Sequence, residues 1–147
     1  MINTLRSLFT RDLSRLSKEI LLYTNERNLW IMAQQINNSA GNLCLHLLGN
    51  LNSYIGKEIG DANYTRDRDA EFSLKDIPRE TLLQRIAETS AIINRAFDQF
   101  DEDDLSKEYP VLVFDEKTSY EFMLIHLSTH LAYHLGQINY HRRLLDH

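Results

Sequence analysis

Histidine is the residue type in this chain whose spacing points most directly to chemistry. Three histidines, His126, His130 and His134, follow one another at intervals of four residues. In a helix, each step of four turns the side chain by only about 40°, so the three imidazoles form one stripe. Two histidines at i and i+4 can direct one nitrogen each at a common point, as they do in helical zinc sites. The spacing therefore predicts a metal site, but it does not choose between His126/His130 and His130/His134.

A third imidazole is expected from another helix. His46 shares a polar stripe with Asn42, Asn50 and Ser53, in a span that otherwise holds mostly Leu, Tyr and Ile. A buried polar stripe is costly unless its groups find partners, and two facing stripes can satisfy each other. A lone histidine on an apolar helix is usually a hydrogen-bonded core residue, but a metal ion best explains this many imidazoles. Three protein ligands would leave coordination positions open, as in catalytic rather than structural sites.

The two spans that carry these residues contain no charged side chain. Residues 28–56 and 122–141 lack Asp, Glu, Lys and Arg, although 25% of the chain is charged. A helix without charges on any side is usually buried on most sides. Asn, Gln, His, Ser and Thr are too frequent in both spans for a membrane crossing. We therefore predict that both helices lie in the interior, with the histidines between them.

Composition and periodicity favour one all-α domain over residues 1–147. The chain has only 5 glycines and 2 prolines, which suits long helices. Its length is sufficient for a hydrophobic core. Apolar residues at helical spacing predict four helices. These lie at about residues 2–23, at 39–55, from Asp76 and Pro78 to the acidic run 101–104, and from a capping box at 118–121 to about Leu145.

Charge and cysteine content argue against several classes of protein. The net charge is −5 and no basic patch with interleaved aromatic residues is present, which disfavours a nucleic-acid partner. The first residues carry charges throughout, so we expect no signal peptide. The single cysteine, Cys44, fits a reducing compartment, and we expect the protein to be cytoplasmic. Cys44 lies about 200° round the helix from His46, which favours a small buried hydrophobe over a nucleophile.

We assign no functional role to two charged regions, which are residues 61–73 and the end of the chain. Residues 61–73 form a polar segment that we predict to be a long surface loop. Arg66, Arg68 and Glu71 within it could bind an anionic substrate, but exposed charge runs are usually solvated and locally paired, and we favour that interpretation. His141 and His147 stand among charged residues near the chain end, so we expect both at the surface, where a helix C-terminus favours positive charge.

Two known kinds of helical metal site do not fit the sequence. The zincin helix needs Glu directly after its first histidine, and here that residue is Leu131. Di-iron bundles need Glu-x-x-His motifs, and no histidine here has Glu three positions before it. Four other polar residues could orient ligands or substrate, although each is more often a plain hydrogen bonder; they are Asn42, Asn50, His126 and Gln137.

In the stretch HLAYHLGQINYHRR the chain resembles the DinB-like superfamily of four-helix metal-binding bundles. Those proteins carry a His-x3-His pair followed by Gly-Gln in the last helix, and a third histidine in the second helix. The resemblance therefore selects His130/His134 over His126/His130, with His46 in NLCLHLLGNLN as the third ligand. The segment RDRDAEF also resembles one branch, mostly without assigned activity. The matching residues are His46, His130, His134, Gly136 and Gln137.

The resemblance carries further expectations. It implies an up-down-down-up bundle, often homodimeric, with a divalent metal such as zinc or nickel. Characterised relatives include S-transferases that use bacillithiol, mycothiol or glutathione, and some relatives are described as hydrolases. We therefore expect a metal-dependent thiol S-transferase acting on a small-molecule substrate. A metal-dependent hydrolase and a non-catalytic metal-binding or dimeric interaction protein are the alternatives. Leu135 departs from the basic residue that many relatives carry there, which changes the surroundings of the site and not its ligand count.

Overall fold

Five α-helices make up most of the chain in a computed structural model that describes residues 1–147. No strand forms, which confirms the predicted all-α class. Two short 3-10 turns cover Glu26–Trp30 and Glu102–Asp104, and a π-helical turn at Asn52–Lys57 continues the second helix. The α-helices are α1 (Ile2–Leu22), α2 (Ala40–Leu51), α3 (Arg68–Ser73), α4 (Arg79–Gln99) and α5 (Tyr120–Leu145).

Amphipathic helices α1 and α4 supply much of the core. Their buried residues recur every three or four positions, so each helix has one apolar side and one charged side. α1 packs against α4 and α5, while α2 packs against α3, α4 and α5. The buried apolar side chains of all these elements form one cluster of 30 residues. Among them are Phe9, Leu16 and Ile20 of α1, and Leu82, Ile86 and Ile93 of α4.

α2 is the most enclosed helix of the molecule. Every residue from Ala40 to Leu51 is buried, as the absence of charge predicts. A buried helix start needs partners for its free N–H groups. Ser39 provides one of them, because its Oγ accepts a hydrogen bond from the Asn42 backbone N–H at 3.2 Å. The interior position predicted for the second helix is therefore confirmed.

α5 is buried on one side only, which corrects the prediction that it lies in the interior. Leu124, Leu127 and Leu131 face the core, whereas Tyr133 is 65% exposed and Tyr140 is 62% exposed. The opposite side is uncharged but open to solvent. We call it the exposed α5 face, and it comprises Phe122, Ile125, Thr129, Ala132, Tyr133, Gly136 and Tyr140.

The segment 61–73 was predicted to be a long surface loop, and this prediction is wrong for its second half. Its second half forms α3, which begins where Asp67 Oδ1 accepts a hydrogen bond from the Ala70 backbone N–H at 3.1 Å. α3 carries Glu71 into the interior, where only 5% of the residue stays exposed. None of the helices combines the length and the apolarity that crossing a bilayer would need.

His141 also differs from its prediction, because it is buried rather than exposed. It retains 4% of its surface. Its Nε2–H donates to the carbonyl oxygen of Ile31 at 2.8 Å, so its Nδ1 accepts from the Tyr23 hydroxyl at 2.6 Å. This histidine ties α5 to α1 and belongs to the core, whereas His147 lies exposed at the chain end as predicted.

Candidate metal centre

Three histidines from α2 and α5 converge on one point. His46, His130 and His134 each offer a ring nitrogen, and these three atoms lie within 4.8 Å of one another. The Nε2 atoms of His46 and His130 are 3.2 Å apart. His126 stays outside this group, with its ring stacked on that of His130 at a centroid distance of 6.1 Å and edge-on to Phe114. The structure thus brings together the three residues that the sequence and the resemblance had selected.

The environment of His130 and His134 favours the neutral form of both rings. Burial, together with the neighbouring rings of His134 and His46, lowers the pKa of His130 to about 4. Burial also lowers the pKa of His134, although its hydrogen bond to Gln137 opposes the effect. Only a neutral imidazole has a lone pair to give to a metal ion. At neutral pH, both rings are therefore in the form that coordination requires.

A carboxylate that the sequence analysis missed lies behind His46. Glu71 Oε1 is 3.1 Å from His46 Nδ1. Arg66 clamps the same carboxylate with two hydrogen bonds of 2.9 Å, from Nε to Oε2 and from Nη2 to Oε1. Burial alone would raise the pKa of Glu71, but the hydrogen bonds from His46 and Arg66 outweigh it and leave the pKa below its usual value. The residue is an anion held against one edge of the imidazole.

Two residues of α2 make room for Glu71 and fix α3 in place. Asn42 Nδ2 donates to the backbone carbonyls of Glu71 at 2.9 Å and Leu74 at 2.8 Å. Gly49 lies directly under the carboxylate, and a methyl group at this position would overlap it. The link between His46 and Glu71 spans 25 residues of sequence. No helical periodicity reveals a contact of that kind, which is why Glu71 and Arg66 were interpreted as part of a solvated loop and not as neighbours of His46.

The other sequence candidates have distinct positions. Asn42 anchors α3 and makes no hydrogen bond to the histidines. Asn50 follows His46 by one turn of α2 and is buried, and its Oδ1 has no hydrogen-bond partner. Gln137 makes a hydrogen bond to the cluster, because its Oε1 accepts a hydrogen bond of 2.7 Å from His134 Nδ1. Two of the three cluster histidines thus have an oxygen at Nδ1, while His130 Nδ1 is buried without a partner.

These residues fit a divalent cation. Two nitrogen ligands of a tetrahedral zinc ion, each at about 2.0–2.1 Å, lie roughly 3.3–3.4 Å apart, close to the 3.2 Å between His46 Nε2 and His130 Nε2. Neutral imidazoles suit zinc, nickel, copper and iron. The donor set contains no carboxylate or thiolate, so a bound cation would keep most of its positive charge. Three protein ligands also leave a coordination position for a small molecule.

An uncharged cleft opens beside His134. It has a volume of about 500 Å³ and lies between the segment 35–38 and the last turns of α5. None of the residues that line it carries a formal charge at neutral pH. Amide and phenol groups supply its polar surface; they belong to Gln35, Asn37, Asn38, Gln137, Tyr133 and Tyr140.

The fold and the histidine cluster define a class: an all-helical protein with three histidines that could hold a metal ion. Comparison with protein families then identifies the family. The chain belongs to DUF1572, described as a protein of unknown function, whose profile matches residues 1–147. DUF1572 is a DinB-like family, which agrees with the resemblance in the last helix. No curated protein matches the chain.

Proposed function

We propose that this protein is a metal-dependent enzyme that activates a small thiol for transfer to an electrophilic substrate. One observation carries the proposal: three imidazole nitrogens converge within 4.8 Å and no other ligand closes the site. His46, His130 and His134 would hold one divalent cation, with zinc or nickel favoured by the DinB-like resemblance. The thiol would be a low-molecular-weight compound such as bacillithiol, mycothiol or glutathione.

The residues around the cluster divide the work of such a reaction. A divalent cation bound by the histidines would lower the pKa of a coordinated thiol and keep it as thiolate at neutral pH. The cleft beside His134 would receive the electrophile, where amide groups such as those of Asn37 and Asn38 can donate hydrogen bonds to it. Tyr133 and Tyr140 would cover its apolar parts. The sulfur would then form the bond to carbon while the leaving group departs with the bonding electrons, and the proton lost by the thiol would pass to solvent.

Thiol transfer is favoured over hydrolysis by the state of the carboxylate next to the cluster. A bound metal lowers the pKa of its water, but cleavage of an ester or amide usually also uses a side chain that gives a proton to the leaving group or takes one from the water. Glu71 is the carboxylate that contacts the cluster, and both of its oxygens are bonded to Arg66. Transfer of a thiolate held by a metal to a carbon that bears a leaving group would need no such side chain, so this site suits a thiol better than water.

Cys44 is not the nucleophile in this proposal. It is completely buried in α2, and burial raises the pKa of its thiol to about 12. The thiol form is unreactive because the thiolate is the nucleophile. The sulfur must therefore come from outside the chain.

The resemblance also supports proposals about assembly and setting. We propose that α1, α2, α4 and α5 form an up-down-down-up bundle, and that two copies associate through the exposed α5 face. Gly136 supports this use of the face, since a Cβ there would meet nothing within 4 Å beyond the neighbouring backbone of its own helix. A single free cysteine suits the cytoplasm, and a net charge of −5 gives no reason to expect a nucleic-acid partner.

A thiol-consumption assay tests the proposed activity. Untagged protein is stripped with a chelator and loaded with Zn²⁺ or Ni²⁺. It is then mixed with bacillithiol, mycothiol, glutathione or cysteine and a chromogenic aryl halide or epoxide. We expect one thiol to be consumed faster with loaded wild type than with metal-free wild type or loaded His130→Ala. His147→Ala is the matched control, because its side chain is exposed and far from the cluster in sequence, and it should equal wild type.

Two results would count against thiol transfer. Turnover of ester or amide substrates by loaded wild type, with no thiol consumed, would assign the site to hydrolysis. Stoichiometric metal without turnover of either kind would favour a non-catalytic metal-binding protein.

A further inference from the structure

The two nitrogens of His46 face different groups, and this difference determines which nitrogen carries the proton. Nδ1 lies 3.1 Å from Glu71 Oε1. Nε2 lies 3.2 Å from His130 Nε2, inside the histidine cluster. A neutral imidazole has one N–H and one lone pair. The proton can therefore lie toward Glu71 or toward His130, but not toward both.

Placing the proton on Nε2 would create a repulsive contact. The lone pair on Nδ1 would then face a carboxylate oxygen at 3.1 Å. Arg66 Nη2 could offset this by donating to Nδ1, but it is 3.4 Å from Nδ1 and only 2.9 Å from Glu71 Oε1. The nearer, negatively charged oxygen is the better acceptor. The arrangement is stable with the proton on Nδ1, where it is donated to Glu71.

We propose that Glu71 is a positioning residue that holds His46 as its Nδ1–H tautomer, with the Nε2 lone pair directed into the cluster before any metal ion arrives. The inference rests on the proposed metal site and adds to it a residue that holds one of the ligands. Carboxylates that accept the free N–H of a ligating histidine fix its ring and make it a stronger ligand.

Glu71 touches the outer edge of His46 but not the point on which the three ring nitrogens converge. It lies on the Nδ1 edge of the His46 ring, opposite the nitrogen that faces His130. Both of its oxygens are bonded to Arg66, and the residue is 5% exposed. Arg66 thus has a role of its own, because its two hydrogen bonds hold both carboxylate oxygens in place beside the His46 ring.

Nitrogen NMR of the metal-free protein tests the tautomer directly. Protein labelled with ¹⁵N-histidine is recorded at mildly alkaline pH, where neutral rings dominate, as wild type, Glu71→Gln and Glu71→Ala. We expect a protonated Nδ1 and an unprotonated Nε2 for His46 in wild type. Glu71→Gln should keep this pattern in part, since its amide oxygen still accepts, while Glu71→Ala should lose it. A wild-type His46 with its proton on Nε2 would overturn the inference, whatever the protein binds.

Zinc affinity gives the second readout, by competition with a chromogenic chelator for Zn²⁺ alone. We expect Glu71→Ala to weaken binding about 10–100-fold and Glu71→Gln to weaken it less. Arg66→Gln should also weaken Zn²⁺ binding. Arg68→Gln should not, because the Arg68 guanidinium lies over the Phe72 ring and does not bond to Glu71. Glu80→Gln is the exposed control for Glu71→Gln. Circular dichroism on each variant confirms that the helices form.

The two proposals fail in different ways. Wild type that binds no Zn²⁺ would remove the proposed function, and the NMR result alone would then decide the tautomer. Wild type that binds Zn²⁺ as tightly as a folded Glu71→Ala variant would leave the metal site standing and remove the role of Glu71.

Discussion

The two sides of the histidine cluster differ in how they hold their ligands. On the α2 side, His46 lies in a helix that is buried all round, and a charged pair, Glu71 and Arg66, grips its outer nitrogen. On the α5 side, His134 is held by the neutral amide of Gln137, which is exposed, and His130 Nδ1 has no partner. The α2 side is thus enclosed and held by a charged pair, whereas the α5 side borders solvent and an uncharged cleft.

This difference suggests a division of labour. A ligand that is fixed before metal binding spares the entropy of ordering it, which favours tight and specific coordination. A ligand beside an open cleft can adjust when a substrate enters. One glycine on each side shows the same difference in free space. Gly49 on α2 lies against Glu71, while Gly136 on α5 has open space around it.

The largest effect is expected from Gly49→Ala on the enclosed side. The added methyl would collide with the Glu71 carboxylate. Overpacking of this kind costs about 1–3 kcal/mol of stability. Displacement of Glu71 should also weaken Zn²⁺ binding about 10–100-fold. Urea unfolding and chelator competition measure the two effects, and unchanged zinc affinity in a folded Gly49→Ala variant would show that the enclosed side is not preorganised for metal.

A smaller effect is expected from Gln137→Ala on the open side. The variant removes the acceptor for His134 Nδ1–H, but water can replace it because Gln137 is exposed. We expect zinc affinity to fall by no more than about 10-fold. Gln84→Ala on α4 is the matched control. A loss larger than that of Glu71→Ala would reverse the comparison between the two sides.

His141 is a buried histidine of α5 outside the cluster, and the pH dependence of the unfolding free energy tests its role in the core. Burial lowers its pKa below the usual 6.5, partly opposed by the bond to the Ile31 carbonyl. As the pH falls through 6.5, the unfolded chain takes up the proton first, so stability present above this pH is lost on acidification. Metal-free His141→Gln should therefore lose less unfolding free energy than wild type between about pH 8 and about pH 5.

Urea unfolding of the metal-free proteins across this range measures the effect. The exposed His147→Gln serves as control and should follow wild type. Equal slopes for wild type and His141→Gln would mean that His141 titrates alike in the folded and unfolded chains.

The smallest effect is expected from Gly136→Ala on the exposed α5 face. A Cβ at this position would meet nothing within 4 Å beyond the neighbouring backbone of α5. Replacing a helical glycine with alanine stabilises a helix by about 0.5–1 kcal/mol. We expect a gain of that size in urea unfolding of the monomer, together with weaker self-association in sedimentation, since the added methyl would obstruct a close second copy. A destabilised monomer would contradict the open environment of this glycine.

Much of the fold follows from the sequence because long helices repeat their pattern many times. The apolar stripes of α1 and α4 and the uncharged span of α2 each predict their helix and its buried side. α3 escaped because six residues give fewer than two turns of periodicity. The exposure of α5 was predicted wrongly because a missing charge can mean burial or an uncharged surface, and the pattern alone does not distinguish the two.

The site was only partly predictable, for a similar reason. Spacing on one helix gave the stripe of His126, His130 and His134, and the resemblance through Gly136 and Gln137 was needed to choose within it. Contacts between distant segments leave no such trace. Glu71 reaches His46 across 25 residues, and His141 turns inward despite its charged neighbours because Tyr23 and the Ile31 carbonyl satisfy both nitrogens.

Metal content is the most direct test of the central claim that His46, His130 and His134 hold one divalent cation. Untagged wild type, the three single alanine variants and His126→Ala are loaded with Zn²⁺ or Ni²⁺, desalted and measured by plasma mass spectrometry, with folding checked by circular dichroism. The account predicts about one metal ion per chain in wild type and His126→Ala, and a loss in each of the three variants. Metal-free wild type after loading, or full metal retention in a folded His46→Ala, would contradict it.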